Sequence, residues 1–84
     1  MELRETFESA TERAGKLPHQ PNDVLLDLYG LFKQATQGDV TGEKPGMFDF
    51  KGAAKYDVWE SRRGMSKDDA SQAYIDLVDK LAAG

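Results

Sequence analysis

From Ala70 to Leu81 the apolar residues Ala70, Ala73, Tyr74, Leu77, Val78 and Leu81 recur at i, i+3, i+4, i+7, i+8 and i+11. That spacing lines one face of an α-helix, and no strand alternation competes with it. Ser66-Lys67-Asp68-Asp69, just ahead of it, is close to a capping box with Asp in place of Glu. A helix with one apolar face has to be covered by other elements, so the remaining residues must supply partners for it. The chain has 84 residues and no cysteine. One domain, 1–84, is expected, with a simple core unsupported by disulfides or thiolate-metal sites.

Three further helices are readable. Leu3, Phe7, Ala10, Ala14 and Leu17 have helical spacing, which predicts a first helix from about Glu2 to Ala14, ended by Gly15 and Pro18. A turn over residues 16–22 follows, and Asn22 or Asp23 is expected to cap the second helix. Val24, Leu28, Leu31 and Ala35 form its apolar face, widened by Leu25 and Phe32, and it runs to about Gln37 with Gly38 as the stop. The third is expected over Lys51–Arg63, with Ala54, Val58 and Trp59 on its apolar side and Gly64 after it. Arg62 and Arg63 are expected to satisfy its C-terminal end.

The connection from Gly38 to Phe50 is long for a compact domain. Extended, it reaches roughly 40 Å, whereas a helix of about 15 residues is only about 22 Å long. It can therefore run back along a helix, so that the second and third helices lie parallel. The class expected is an all-α, four-helix bundle.

Charge narrows the function. The net charge of −4 argues against general nucleic-acid affinity. Residues 29–59 carry four lysines (33, 44, 51 and 55) and four acids, net zero, so this stretch is less acidic than the rest. No apolar run approaches a membrane span, and Met-Glu-Leu-Arg-Glu at the start lacks a signal-peptide pattern. A soluble protein of the cytoplasm is expected, and the lack of cysteine fits a reducing compartment. No catalytic constellation emerges. Ser61 and Ser66 have no histidine at a recognisable spacing, His19 sits in a turn, and Asp68-Asp69 at a helix start read as dipole partners. Neither a P-loop nor a calcium-loop spacing is present.

The lysines lie among aromatic residues. Tyr29, Phe32, Lys33 and Thr36 share a helix flank, and Lys51, Lys55 and Trp59 follow one another at one-turn intervals. Two readings stand. In one, the rings are core and the lysines solvated surface. In the other, Lys33, Tyr29 and Lys55 clamp a phosphate, the lysines as point charges and the tyrosine as a hydroxyl donor, with Phe32 offering a flat face to a base. A rival class is a helical protein-interaction module with Trp59 and Phe48 as exposed anchors.

The runs Tyr29-Gly-Leu-Phe-Lys-Gln-Ala-Thr-Gln-Gly-Asp39, Lys44-Pro-Gly-Met-Phe-Asp-Phe-Lys-Gly52, Ala54-Lys-Tyr-Asp57, Trp59, Ser66-Lys-Asp-Asp-Ala70 and Ala73-Tyr-Ile75 resemble the acyl-CoA-binding protein family. The likeness covers Tyr29 to about Leu81. It implies a four-helix bundle in up-down-down-up order with a long overhand loop between helices 2 and 3. It also implies reversible, non-catalytic binding of medium- and long-chain acyl-CoA by a protein that carries and pools the ligand, with no cofactor; a monomer is expected because the helices can cover each other. By the same resemblance Tyr29, Lys33 and Lys55 hold the 3′-phosphate of the CoA ribose. Phe32 stacks on adenine, Tyr74 belongs to the binding pocket and Lys51 lies near the ligand. The chain departs from the family at Phe32 (usually tyrosine), Tyr56 (commonly tryptophan), Arg62 (commonly leucine) and Gly15 (frequently lysine). For the last, Arg13 or Lys16 is the substitute to consider.

Overall fold

The computed structural model describes residues 2–84. Four helices account for it: α1 Leu3–Ala14, α2 Asn22–Gln37, α3 Phe50–Glu60 and α4 Lys67–Ala83. Among the described residues there is no strand.

Two helix boundaries differ from the sequence expectation. Neither Asn22 nor Asp23 caps α2; both lie inside it, and Pro21 is the N-cap residue, without a side-chain cap. Proline lacks an N–H, but its carbonyl still takes the first helical bond, from Leu25 N at 3.1 Å. The third helix stops at Glu60, three residues short of Arg63. Its chain tightens there into i→i+3 bonds, Arg62 N to Trp59 O and Arg63 N to Glu60 O, both 3.0 Å. Arg62 then turns back to α2 and pairs with Asp27 at 3.6 Å, in place of the expected role at the end of α3. The start of α4 follows the sequence: Ser66 Oγ accepts from Asp69 N at 3.0 Å.

Side-chain pairings give the helix directions. Arg13 near the end of α1 meets Asp79 near the end of α4, so those helices run the same way. Gln34 late in α2 bonds Met65 O just before α4, which makes α2 antiparallel to α4. Gly30 abuts Val58, and Trp59 Nε1 donates to Gly38 O at 2.8 Å, while Asn22 faces the start of α3. Thus α2 and α3 are parallel, and the order is up-down-down-up. The overhand loop makes this possible, and Gly38, at φ 82°, supplies the left-handed conformation that takes the chain off α2.

Helix α4 packs on α1 and α2, whereas α3 packs on α2 alone among the described helices. The core lies in the first group: Ala10, Leu28, Leu31, Tyr74, Ile75 and Val78. Gln34 is fully buried there. Its Nε2 donates to Asp39 Oδ1 at 2.9 Å and to Met65 O at 2.8 Å, binding α2 to both neighbouring loops. Asp39 also accepts from Gly64 N at 2.8 Å. With Val40 buried at 6% exposure, the overhand loop is fastened at its start.

A candidate ligand groove between α2 and α3

Gly30 sets the spacing of α2 and α3. A Cβ added at that position would sit 2.8 Å from the carbonyl oxygen of Val58, so only glycine lets the two backbones approach this closely. From this contact towards their N-termini the helices diverge, and a hollow of about 470 Å³ opens. That size falls among small-molecule pockets.

Helical spacing determines what lines it. Asn22, Leu25, Leu26 and Tyr29 come from one face of α2, and Phe50, Lys51, Ala54 and Lys55 from the facing side of α3. The wall is apolar at Leu25, Leu26, Phe50 and Ala54, and cationic at Lys51 and Lys55. The Lys55 ammonium lies 5.3 Å from the centre of the Tyr29 ring. Among the described residues neither Lys51 nor Lys55 forms an ion pair, whereas nearby Lys44 is held by Asp57 at 2.9 Å. The Asp57 bond holds the Lys44 pKa above its ordinary value. The groove therefore joins an apolar surface to cations that no carboxylate neutralises.

The six residues singled out in the sequence divide into three groups. Tyr29, Lys51 and Lys55 meet in the groove. Lys33 does not join them: its Nζ lies 4.8 Å from the Trp59 ring centre, a cation–π contact at the closed end of the helix pair. Phe32 and Tyr74 lie on the other side of α2, in a ring cluster with Phe7. Phe7 and Phe32 stack at 6.0 Å and 20°, and Tyr74 is tilted against both, at 5.1 and 6.2 Å. Tyr74 is buried, which pushes its hydroxyl pKa up. Phe32, 38% exposed, opens into a second hollow of about 640 Å³ between α1, α2 and α4, which it shares with Thr11, Lys67 and Ser71.

Leu25, Leu26, Phe50 and Ala54 were not singled out by sequence reasoning. Leu25 and Phe32 were assigned to the buried face of α2, yet both are exposed, because α2 is flanked by hollows on two sides. Of the two substitutes for a helix-one lysine, Arg13 is engaged with Asp79 at 2.7 Å, and Lys16 lies exposed beyond α1. As for the rival reading, Phe48 is 90% exposed, but Trp59 is buried, so it cannot serve as an exposed anchor.

The surroundings narrow the chemistry further. No group of three His, Asp or Glu side chains that could hold a metal ion occurs among the described residues. No described helix is long and apolar enough to cross a membrane.

Residues 4–78 match the family model described as "Acyl CoA binding protein". The chain is 51% identical over 79 residues to acyl-CoA-binding protein homolog 1 of Caenorhabditis elegans, covering 93% of this chain and 92% of the other. It is 46% identical over 82 residues to the acyl-CoA-binding protein of Saccharomyces cerevisiae, covering 96% and 94%. The crystal structure of Oryza sativa Acyl-CoA-Binding Protein 2 superposes with a TM-score of 0.95 at 43% identity, covering 98% of this chain and 92% of that one. The up-down-down-up helices, the groove between α2 and α3 and these likenesses lead to one assignment: the chain belongs to the acyl-CoA-binding protein family.

Proposed function

We propose that this protein binds medium- and long-chain acyl-CoA thioesters reversibly and without catalysis, as a monomeric cytoplasmic carrier. The observation that carries this is the groove itself, where an apolar wall runs directly into unpaired lysines. An acyl-CoA has the matching construction: a hydrocarbon chain joined through a long neutral arm to a polyphosphorylated nucleotide. The family assignment and its named relatives support the same reading.

The labour divides physically. Lys55 and Tyr29 take a phosphate, the ammonium through charge and the phenol through its hydroxyl, and Lys51 adds a second cation nearby. Lys33 joins them by leaving the Trp59 face, a side-chain rotation away from a contact of modest strength. Phe32 offers the exposed part of its ring to adenine, with Phe7 and Tyr74 packed behind it to fix its plane. The acyl chain lies against Leu25, Leu26, Phe50 and Ala54. Burial contributes about 0.8 kcal/mol per methylene, so affinity rises about fourfold per methylene until the groove is full.

Titration calorimetry with palmitoyl-CoA, CoA and palmitate tests this. Palmitoyl-CoA is expected to bind far more tightly than CoA, and palmitate most weakly, with no thioester hydrolysis over the titration. Equal affinity for CoA and palmitoyl-CoA would remove the apolar half of the groove from the account.

A further inference from the structure

Two contacts cross the α2–α3 pair in opposite senses. Lys55 of α3 lies over the Tyr29 ring of α2 at 5.3 Å. One turn further along each helix, Lys33 of α2 lies over the Trp59 ring of α3 at 4.8 Å. The close approach of Gly30 to Val58 falls between them, so one helix spacing serves both. Neither lysine forms an ion pair among the described residues. The two contacts are unequal. Lys55 is exposed and already stands at the groove wall with Tyr29. Trp59 is buried, its Nε1 is fixed by Gly38 O at 2.8 Å, and Lys33 is half-buried. An indole is the strongest of the ring partners, and an ammonium partly stripped of water gains more from it. Lys33 is therefore held more firmly than Lys55.

We propose that Trp59 is a latch on Lys33 that sets the selectivity of the site for a phosphate monoester. This rests on the ligand reading above. To reach Tyr29 and Lys55, Lys33 must give up the indole face, so a ligand recruits it only by offering more than that contact provides. A phosphate monoester does so. It carries about two negative charges at neutral pH, and charge-assisted bonds to it, shared with Lys55, outweigh a cation–π contact. A group with less charge at the same place leaves Lys33 on the ring. The latch thus works by difference: it denies the second cation to the wrong ligand, and takes from the right one only part of what the lysine returns. Trp59 does not line the groove and acts through Lys33, as a positioning residue.

The latch carries its own reporter, because Trp59 is the one tryptophan of the chain. Titration with palmitoyl-CoA and with palmitoyl-dephospho-CoA, followed by Trp59 emission and by calorimetry on the same samples, tests the proposal. The emission is expected to shift as palmitoyl-CoA saturates the protein, since the ammonium leaves the indole face. With palmitoyl-dephospho-CoA it should stay near that of the free protein. In Lys33→Met, palmitoyl-CoA should no longer move it. In Trp59→Leu the preference for palmitoyl-CoA over palmitoyl-dephospho-CoA is expected to narrow about two- to fivefold, because the freed lysine then serves both ligands. A purely structural indole would lower both affinities and leave their ratio unchanged, and that result would overturn the latch. So would equal emission shifts with the two ligands, or a shift that survives in Lys33→Met. The emission measurements keep the indole in place, so they decide the matter even where Trp59→Leu does not fold. No heat with palmitoyl-CoA would remove the ligand reading and the latch together; heat with an unchanged Trp59 emission would remove the latch alone.

Discussion

The two sides of α2 are built on different terms. Towards α1 and α4, Ala10, Leu28, Leu31, Tyr74, Ile75 and Val78 close into one core. Towards α3, Gly30 meets Val58 and Trp59 is buried, and a hollow of about 470 Å³ lies between the N-terminal parts of the two helices. Polar ties along the loop add to this contact: Trp59 to Gly38 O, Asp39 to Gln34 and Gly64, and Lys44 to Asp57. The first side supplies stability. The second keeps a helix attached while leaving its inner face unfilled, which is what a groove for a long apolar ligand requires.

Substitutions on the two sides should therefore separate stability from binding. The largest loss of stability is expected from Leu31→Ala, about 2–5 kcal/mol by denaturant unfolding, with little change in ligand affinity of the folded fraction. A groove variant that destabilised as much would erase the distinction. Gly30→Val tests the joint between the sides. Its Cβ would meet the Val58 backbone, so a loss of about 1–3 kcal/mol of stability is expected together with weakened acyl-CoA binding as α3 is pushed away. Binding that survives at parental strength would show that the α2–α3 spacing does not matter to the site.

Lys55→Ala should leave unfolding nearly unchanged and cost about 1.5–3 kcal/mol of acyl-CoA affinity. The loss should be larger for acyl-CoA than for acyl-dephospho-CoA, and calorimetry showing equal losses would remove the phosphate role. Phe32→Ala is expected to cost about 1–3 kcal/mol of binding, whereas Phe32→Tyr should be close to neutral.

The smallest expected effect is at acid pH. The Gly64 N–H first, and the Gln34 amide second, hold the Asp39 carboxyl below its ordinary value of 3.8. A carboxyl with a depressed folded pKa contributes stability above its unfolded pKa, and loses it as pH falls through the folded one. Asp39→Asn should flatten the pH dependence of unfolding below about pH 4. An unchanged profile would show that the loop tie is not coupled to titration.

How legible this was in the sequence differs by side as well. Period and caps located α4 and the packed face of α2, because burial imposes the spacing seen at Ala70, Tyr74 and Val78. The parallel arrangement of α2 and α3 followed from loop length alone. The groove was only half visible. Tyr29 and Lys55 stood out as chemistry, but the hollow beside them comes from a divergence of two helices that no periodicity records, so Leu25 read as core and Phe50 as the end of a loop. Lys33 shares a helix flank with Tyr29, yet the Trp59 ring, reached only through tertiary packing, holds its ammonium elsewhere. At the end of α3 the sequence continued the helix through Arg62, which the ion pair with Asp27 draws back across α2.

Amide chemical-shift mapping during a titration with palmitoyl-CoA tests the central claim most directly. The account predicts that the largest shifts cluster at residues 22–29 and 50–55, the two walls of the groove, with a second set around Phe32, where adenine stacks, and with Ile75 and Val78 in the closed core little affected. Shifts confined to the hollow between α1, α2 and α4, with none along those two walls at saturation, would contradict it.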